Sequence, residues 1–277
     1  MALHHFGPAV DQALQEDVGQ GDVTSMWALP LNAIARGRIV TTENGVLAGL
    51  EVAGEVFRRV NALIGFTPLK ADAQAMSTGD VLATVVGPAT SVFTAERAAL
   101  NFLEHMSGIA SLTRRYVDAV KGTNAVILGT RKTAPGLREI DQWAIRLGGG
   151  GDHRARLDDM ILIRSGHIAI AGSLTAAIQR ARQFNTGLPI VVEVMTWAQL
   201  DEALPLEPDR LMLTGLPTKD IADAVKWVAG RVPLEAAGDV TLYNVQPIAE
   251  TGVDYISVGT LTEHARALHI TLEIEAP

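Results

Sequence analysis

Nine basic side chains lie between residues 127 and 168 of a chain whose net charge is -8. They are Arg131, Lys132, Arg138, Arg146, His153, Arg154, Arg156, Arg164 and His167. Arg131 and Lys132 follow one apolar run and Arg164 follows the next, so a strand–loop–helix–loop–strand segment would bring them to the same end of neighbouring strands. A small molecule with several negative charges suits such a cluster, because guanidinium groups bind carboxylates and phosphates in a planar, two-bonded geometry. The alternative is a solvated basic surface.

Carboxylates and glycines follow the later apolar runs. Glu193 and Glu235 are the carboxylates, while Gly238 and Gly259 lie in loops whose backbone N–H groups suit a phosphate. Basic residues on one side, with carboxylates and glycines opposite, suit an anionic substrate that meets a phosphorylated one bound with Mg²⁺. For Glu193, an ion pair with a neighbouring basic side chain is an equal alternative to a metal role.

The elements that would position these residues alternate between strand and helix. Six apolar runs end in polar residues or glycine, and a helical pattern fills each interval, for example 174–184 and 218–228. The ends of the runs are marked by Arg131, Arg164, Glu193, Thr214, Glu235 and Gly259. Strands that alternate with helices at this spacing predict a parallel sheet. Polar strand ends with glycine-containing loops are typical of the active-site face of a β/α barrel, and an open doubly wound sheet is the alternative.

The first hundred residues mix short strands with helices, which predicts an α+β module. Two helical patterns follow, at 94–106 and 109–120, with Ser107 and Gly108 between them. Residues 268–274 are typical of one more strand, which returns to the first module. We therefore predict an α/β chain with one domain at 1–105, joined by the strand segment 266–277, and a barrel domain at 106–265.

The composition excludes several classes of protein. A hydrophobic content of 48% and a charged content of 19% are those of a globular protein with a full core. The negative net charge argues against general nucleic-acid binding, which needs a broad basic surface. No apolar run approaches the roughly 20 residues that cross a bilayer, and the first residues lack the pattern of a signal peptide. The chain has no cysteine, which excludes disulfides and thiolate chemistry, and we expect a cytoplasmic protein.

Longer motifs carry more specific information. The most specific is Thr-Arg-Lys-Thr-Ala-Pro-Gly-Leu-Arg at 130–138. The others are Glu-Asp-Val-Gly-Gln-Gly-Asp-Val-Thr-Ser at 16–25, Gly-Val-Leu-Ala-Gly at 45–49, Glu-Arg-Ala-Ala-Leu-Asn-Phe-Leu at 96–103, Ser-Gly-Ile-Ala at 107–110, Gly-Gly-Gly at 148–150, His-Arg at 153–154 and Glu-Thr-Gly-Val-Asp-Tyr-Ile-Ser-Val-Gly at 250–259. Together they resemble, nearly from end to end, the quinolinate phosphoribosyltransferase family, the decarboxylating nicotinate-nucleotide pyrophosphorylases of NAD biosynthesis.

The resemblance implies a fold and a reaction. The fold is an N-terminal open-faced α/β sandwich followed by an incomplete β/α barrel, in a homodimer or a higher homo-oligomer. The reaction moves a phosphoribosyl group from phosphoribosyl pyrophosphate to quinolinate with loss of CO2, which gives nicotinate mononucleotide and pyrophosphate. The implied cofactor is Mg²⁺.

The resemblance also implies which residues bind the acceptor. Arg131, His153 and Arg154 would hold the two carboxylates of quinolinate. Arg97 would be lent by the neighbouring subunit, whereas its pattern alone is that of an exposed charge on a helix.

For the donor, the resemblance places Lys132 at the pyrophosphate and Glu193 at the ribose and the metal. Gly238 and Gly259 lie in loops that would receive the phosphate through backbone N–H groups. Arg164 takes the place of a lysine that has a functional role in the family.

Other departures from the family also fall at strand ends. Thr214 stands where an aspartate is usual, Asp239 where glycine or asparagine is usual, and Glu263 adds a carboxylate nearby. These changes predict weak binding of phosphoribosyl pyrophosphate. They leave two alternatives to the family reaction: a paralogue with an altered pocket that acts on another substrate pair, and a catalytically silent or engineered barrel that binds small anions.

Overall fold

The computed structural model describes residues 6–184 and 186–275. Its helices are α1 (Gly7–Val18), α2 (Val23–Ala28), α3 (Leu50–Val60), α4 (Ala89–Ala119), α5 (Arg138–Leu147), α6 (Ser165–Ala171), α7 (Leu174–Gln183), α8 (Trp197–Ala203), α9 (Thr218–Val228), α10 (Val245–Ala249) and α11 (Thr260–Glu263), with a 3₁₀ turn at Leu204–Leu206. Its strands are β1 (Ile34–Thr41), β2 (Gly45–Val46), β3 (Gly65–Pro68), β4 (Ala75–Met76), β5 (Val81–Pro88), β6 (Val126–Gly129), β7 (Gly151–Asp152), β8 (Ile161–Ile163), β9 (Ile190–Val194), β10 (Arg210–Thr214), β11 (Leu234–Ala237), β12 (Tyr255–Ser257) and β13 (Ile270–Ile274).

The chain forms two compact units. The first contains the described parts of residues 1–114, 133–149 and 264–277, and the second contains residues 115–132 and 150–263. The domain boundaries expected from the sequence stay a prediction. Among the described residues, no helix is both long enough and apolar enough to cross a membrane.

The first unit is built on an antiparallel sheet in the order β13-β1-β5-β3. The C-terminal strand β13 pairs with β1, with Ile39 opposite Leu272, so the end of the chain returns to its beginning. Helix α3 buries one face, including Val52, Val56 and Phe57. This spacing of apolar residues is that of an amphipathic helix.

The two helices predicted on either side of Ser107 and Gly108 are a single helix, α4, so that prediction was wrong. The two small residues mark close packing and not a break. A Cβ on Gly108 would lie 2.2 Å from the carbonyl oxygen of Arg266. The hydroxyl of Ser107 accepts a hydrogen bond from the backbone N–H of Ala48 at 3.0 Å, and it donates to the carbonyl oxygen of the same residue at 3.2 Å.

A buried carboxylate in the first unit fixes the segment that follows Lys132. Asp141 has no exposed surface. One of its oxygens lies 2.7 Å from Nε2 of His105, and the other accepts a hydrogen bond from the backbone N–H of Ala134 at 3.0 Å. Ala134, two residues after Lys132, is therefore bonded to α5 through Asp141, and His105 of α4 holds Asp141 in turn.

The second unit is a parallel sheet in the order β7-β6-β12-β11-β10-β9-β8. Each strand pairs with its neighbour in the same direction, as strands joined by helical crossovers do. Among the described strands, β7 and β8 are the two edges and do not pair with each other, so the barrel is incomplete. The predicted fold class, an incomplete β/α barrel after an α/β sandwich, is confirmed.

Strand register decides which side chains enter the barrel. Met212 lies opposite Glu193 on β9 and opposite Glu235 on β11. Met160, Val191 and Met212 form an apolar cluster there, with Leu162 and Ala237 packed against it. Because the side chains of a strand alternate between its faces, the next inward residue of β10 is Thr214, at the carboxyl end of the sheet.

Candidate functional site

A cavity of about 450 Å³ opens at the carboxyl ends of the barrel strands, wholly within the second unit. Nine of the ten residues predicted for the site line it: Arg131, Lys132, His153, Arg154, Arg164, Glu193, Thr214, Gly238 and Gly259. They come from the seven strands β6 to β12 or from the residues just after them, as expected at the active-site face of a β/α barrel. Their roles in binding stay predictions.

The tenth residue, Arg97, lies elsewhere. It is an exposed side chain on α4, in the first unit. The expectation that it serves the site of a neighbouring subunit stays a prediction.

Three polar atoms in this cavity are buried and have no hydrogen-bond partner. They are Nε of Arg131, Nε2 of His153 and Oγ1 of Thr214. A buried polar group without a partner costs about 1–3 kcal/mol, so such groups are rare unless a ligand or water completes them. Two of the three carry or can carry positive charge, which indicates an anionic ligand.

The basic side chains of the cavity repel one another. Arg154 donates a hydrogen bond from Nη1 to the carbonyl oxygen of Met160 at 3.2 Å. Burial, and then the charges of Arg131 and Arg164, hold the pKa of the Arg154 guanidinium below its usual value, while Asp159 opposes that change. A bound dianion would relieve this repulsion.

Glu193 is the buried carboxylate of the cavity, with 6% of its surface exposed. Its Oε2 accepts a hydrogen bond from the backbone N–H of Ser165, the first residue of α6, at 2.8 Å. Its Oε1 lies 4.0 Å from Nε of Arg164, at the limit of an ion pair. One oxygen is thus fixed by backbone, and the other remains within reach of a ligand in the cavity.

Lys132 is held at the opposite wall by α11. Its ammonium lies 3.3 Å from Oε1 and 3.4 Å from Oε2 of Glu263, and its carbonyl oxygen accepts a hydrogen bond from the hydroxyl of Thr262 at 2.7 Å. Gly259 makes room for both side chains. A Cβ there would lie 2.6 Å from Oε2 of Glu263 and 3.1 Å from Cδ of Lys132.

Two glycine loops approach each other across the ends of β10 and β11. Gly215 and Gly238 have φ values of +70° and +133°, which L side chains rarely adopt. A Cβ on Gly238 would lie 3.5 Å from the backbone nitrogen of Gly215. The exposed carboxylate of Asp239 follows, and its backbone carbonyl accepts a hydrogen bond from the amide of Asn244 at 2.9 Å.

The expectation that Glu235 stands at the mouth of the barrel was wrong. The strand runs from Leu234 to Ala237, so Glu235 is its second residue and lies beneath the cavity with no exposed surface. Its Oε2 lies 3.0 Å from Nη1 of Arg210 and 3.3 Å from Nε2 of His153. The distance to His153 is that of an ion pair.

Sequence reasoning missed Arg210, Tyr255 and Ser257. Ser257 donates a hydrogen bond to Oε1 of Glu235, and the guanidinium carbon of Arg210 lies 3.9 Å from the centre of the Tyr255 ring. A signal was present, because an arginine that begins an otherwise apolar strand next to a buried glutamate predicts a buried pair. It could be used only once the register of the strands was known.

Among the described residues, no group of three or more His, Asp and Glu side chains could hold a metal ion alone. Mg²⁺ in phosphate-transfer sites is typically held by one or two carboxylates together with substrate phosphates. Glu193 lines the cavity with one carboxylate oxygen within reach of a ligand, so it fits that kind of site.

Comparisons with known proteins agree with one another. Family models for quinolinate phosphoribosyl transferase match residues 22–107 (N-terminal domain) and residues 109–273 (C-terminal domain). The nicotinate-nucleotide pyrophosphorylase (carboxylating) of Mycobacterium leprae is 40% identical over 271 residues, with 96% of this chain and 95% of that protein covered. A probable nicotinate-nucleotide pyrophosphorylase from Synechocystis is 39% identical over 272 residues, with 96% and 92% covered.

Solved structures show the same likeness. The nicotinate-nucleotide pyrophosphorylase of Ehrlichia chaffeensis superposes with a TM-score of 0.95 at 38% identity, covering 99% of this chain and 100% of that one. NadC from Streptococcus pyogenes gives a TM-score of 0.95 at 33% identity, with 99% and 98% covered.

Proposed function

The chain belongs to the quinolinate phosphoribosyltransferase family, and we infer that it transfers a phosphoribosyl group to quinolinate with decarboxylation. The products are nicotinate mononucleotide, pyrophosphate and CO2, in the biosynthesis of NAD. The observation that carries this inference is the cluster of Arg131, His153 and Arg154 in one cavity, where Nε of Arg131 and Oγ1 of Thr214 are buried without a hydrogen-bond partner.

The acceptor half of the cavity is formed by Arg131, His153 and Arg154. Quinolinate is a planar ring with two adjacent carboxylates, and paired N–H groups on guanidinium are matched to such oxygens. The mutual repulsion of Arg131 and Arg154 favours a ligand that brings two negative charges. We propose that Arg97 of a second copy completes this half-site, which requires a homodimer or a higher homo-oligomer.

The donor half is formed by Lys132, Arg164, Glu193, Thr214 and the glycine loops. Lys132 and Arg164 are exposed cations at the rim, placed to receive pyrophosphate oxygens. Glu193 and the unpartnered hydroxyl of Thr214 are the groups available to ribose hydroxyls. The backbone at Gly238 and Gly259 can approach the phosphate closely because no side chain intervenes.

The chemistry follows from bringing the two anions together. The pyridine nitrogen forms a bond to C1 of the ribose while the bond from C1 to the pyrophosphate oxygen breaks, and that electron pair leaves with pyrophosphate. Lys132 and Arg164 stabilise the departing negative charge. The ring nitrogen is now positive, so the adjacent carboxylate leaves as CO2, the electron pair stays on the ring carbon, and that carbon takes up a proton.

Positioning is the main contribution of the protein to this reaction. Without the cations, the dicarboxylate and the multiply charged phosphoribosyl pyrophosphate would repel each other at the distance that the reaction needs. We propose that Mg²⁺ is the cofactor and that Glu193 would hold it together with the pyrophosphate; when bound, it would supply further neutralisation of the leaving group. A cytoplasmic location stays a prediction, since relatives from rice and tobacco are named chloroplastic and mitochondrial.

The direct test is turnover of quinolinate and phosphoribosyl pyrophosphate, followed by the formation of nicotinate mononucleotide. We expect product with the unmodified chain and none with Arg131→Ala. Absence of product at saturating substrates, with the fold intact, would refute the inference and favour the paralogue that acts on another substrate pair.

The departures from the family can be tested in the same assay. The triple variant R164K/T214D/D239G restores the family residues at the donor half-site. We expect it to lower the KM for phosphoribosyl pyrophosphate and to leave the KM for quinolinate unchanged. An unchanged KM for phosphoribosyl pyrophosphate would show that these substitutions do not weaken the donor site.

A further inference from the structure

The cavity of the barrel has one apolar wall. Among the described residues that line it, three have apolar side chains and are called here the apolar platform: Leu162, Met212 and Ala237. The other lining residues are polar, charged or glycine. The three apolar residues are grouped and not scattered, since all belong to or pack against one buried cluster that Met160 and Val191 complete.

Neighbouring strands of the parallel sheet build the apolar platform. Leu162 lies on β8, Met212 on β10 and Ala237 on β11. Val191 of β9, the strand between β8 and β10, pairs with Leu162 and is buried. Leu162 and Ala237 are half-buried, while Met212 is 8% exposed, so the platform is the upper surface of a packed interior. Its shape is therefore fixed before a ligand binds.

The apolar platform lies beside the acceptor half-site. Nη1 of Arg154 donates a hydrogen bond to the carbonyl oxygen of Met160 at 3.2 Å. The side chain of Met160 belongs to the cluster under the platform, and Leu162 follows it by two residues, on the same face of the chain. A carboxylate bound by Arg154 therefore holds the rest of its molecule next to the platform.

This wall distinguishes between classes of anion. Apolar surface stabilises a ligand only when the ligand has apolar surface of its own to remove from water. Phosphate or sulfate oxygens against the apolar platform would lose hydrogen bonds to water without replacement, which is unfavourable. An aromatic ring with carboxylates in its plane suits the cavity better, because the carboxylates can reach Arg131 and Arg154 while one face of the ring contacts the platform. Apolar walls with a few placed polar groups are typical of sites for organic ligands.

We propose that the apolar platform binds one face of the acceptor ring, and that Met212, at the centre of the platform, is a specificity-determining residue. This inference rests on the proposed function of the cavity as a quinolinate site. The acceptor belongs to the aromatic acids, and an acyclic diacid that reaches the same cations binds more weakly.

Diacids with matched carboxylates separate the ring from the charge. Maleate carries two carboxylates cis on a carbon–carbon double bond, as quinolinate does on its ring, but it has no ring face. Burial of a ring face should make the unmodified chain bind quinolinate at least about tenfold more tightly than maleate in isothermal calorimetry. Phthalate, which keeps the ring and lacks the nitrogen, should also bind more tightly than maleate.

Four variants test the platform itself. Met212→Ala should lower the affinity for quinolinate about three- to tenfold and change that for maleate less than about twofold, because only the ring contacts the lost atoms. Leu162→Ala, at a half-buried position, should act in the same direction and provides a second test if Met212→Ala does not fold. Met212→Leu keeps the apolar volume and should bind like the wild type. Val191→Ala is the matched control, since Val191 belongs to the same buried cluster but is not among the described lining residues.

The ratio of the quinolinate and maleate affinities decides the matter. Equal affinities in the wild type would overturn the proposal. An unchanged ratio in the folded platform variants, or a ratio lowered as much by Val191→Ala, would overturn it as well. These outcomes leave the proposed function in place as long as the wild type turns over quinolinate. A wild type that binds neither diacid would instead refute the proposed function, and the inference with it.

Discussion

Replacement of Arg131 by alanine tests the acceptor half-site most directly. Nε of Arg131 is buried and has no hydrogen-bond partner among the described residues, so the substitution removes no hydrogen bond seen at that atom. It also removes a positive charge that acts against Arg154. We therefore expect the free energy of unfolding of Arg131→Ala to equal or exceed that of the wild type, which is unusual for the loss of a partly buried side chain.

Binding should respond in the opposite direction. A hydrogen bond between charged groups contributes about 1.5–3 kcal/mol, and each 1.4 kcal/mol is about tenfold in affinity, so quinolinate should bind roughly ten- to a hundredfold more weakly. Isothermal calorimetry at neutral pH measures the affinity for quinolinate. The affinity of Arg131→Lys should lie between those of the wild type and Arg131→Ala, because lysine keeps the charge and lacks the planar guanidinium. Equal affinities for the wild type and a folded Arg131→Ala would refute the assignment.

Three further outcomes are expected. Glu263→Gln removes the ion pair of Lys132 and leaves its ammonium available to the donor. Because exposed ion pairs contribute about 0.2–1 kcal/mol, phosphoribosyl pyrophosphate should bind up to about fivefold more tightly. Weaker binding in calorimetry would mean that the carboxylate itself contacts the ligand. Gly108→Ala, although alanine favours helices, should lower the free energy of unfolding by about 1–3 kcal/mol, because its Cβ would meet the carbonyl of Arg266; a raised Tm would contradict this. Burial raises the pKa of Asp72 to about 6, above its unfolded value near 4, so the folded state holds this proton more tightly and stability is lost as pH rises from about 4 through 6. The free energy of unfolding of Asp72→Asn, measured with denaturant, should therefore exceed that of the wild type by about 1–2 kcal/mol at pH 7.5 and equal it at pH 4. A difference that does not depend on pH would contradict the reasoning.

Much of the fold was predictable because its pattern is local. Apolar runs of strand length alternate with helical patterns, and the residue after each run falls at the same end of a parallel sheet. The sequence therefore predicts Arg131, Arg164 and Thr214 at one end of the sheet, and they line one cavity there. The fused helix α4 could not be predicted in this way, because Gly108 is explained by a residue far away in the chain, Arg266.

Contacts with residues distant in the chain also limited the prediction of the site. The sequence places Glu235 at the mouth of the barrel because a charged residue follows the apolar run there, while the strand continues for two more residues. Its partners Arg210 and Ser257 come from neighbouring strands, and only the register brings them together. Contacts that depend on register are not encoded in any single stretch of sequence.

The polar contacts between β10, β11 and β12 around Glu235 also bear on how this sheet assembles. Glu235 lies opposite Met212 on one side and opposite Tyr255 on the other. A slip of one residue would turn Glu235 to the outer face and leave the partly buried Arg210 without its anion, which is destabilising. An apolar interior would tolerate such a slip far better. These contacts therefore disfavour misaligned strands during folding, because Glu235 and Arg210 are paired in the interior only when all three strands are in register.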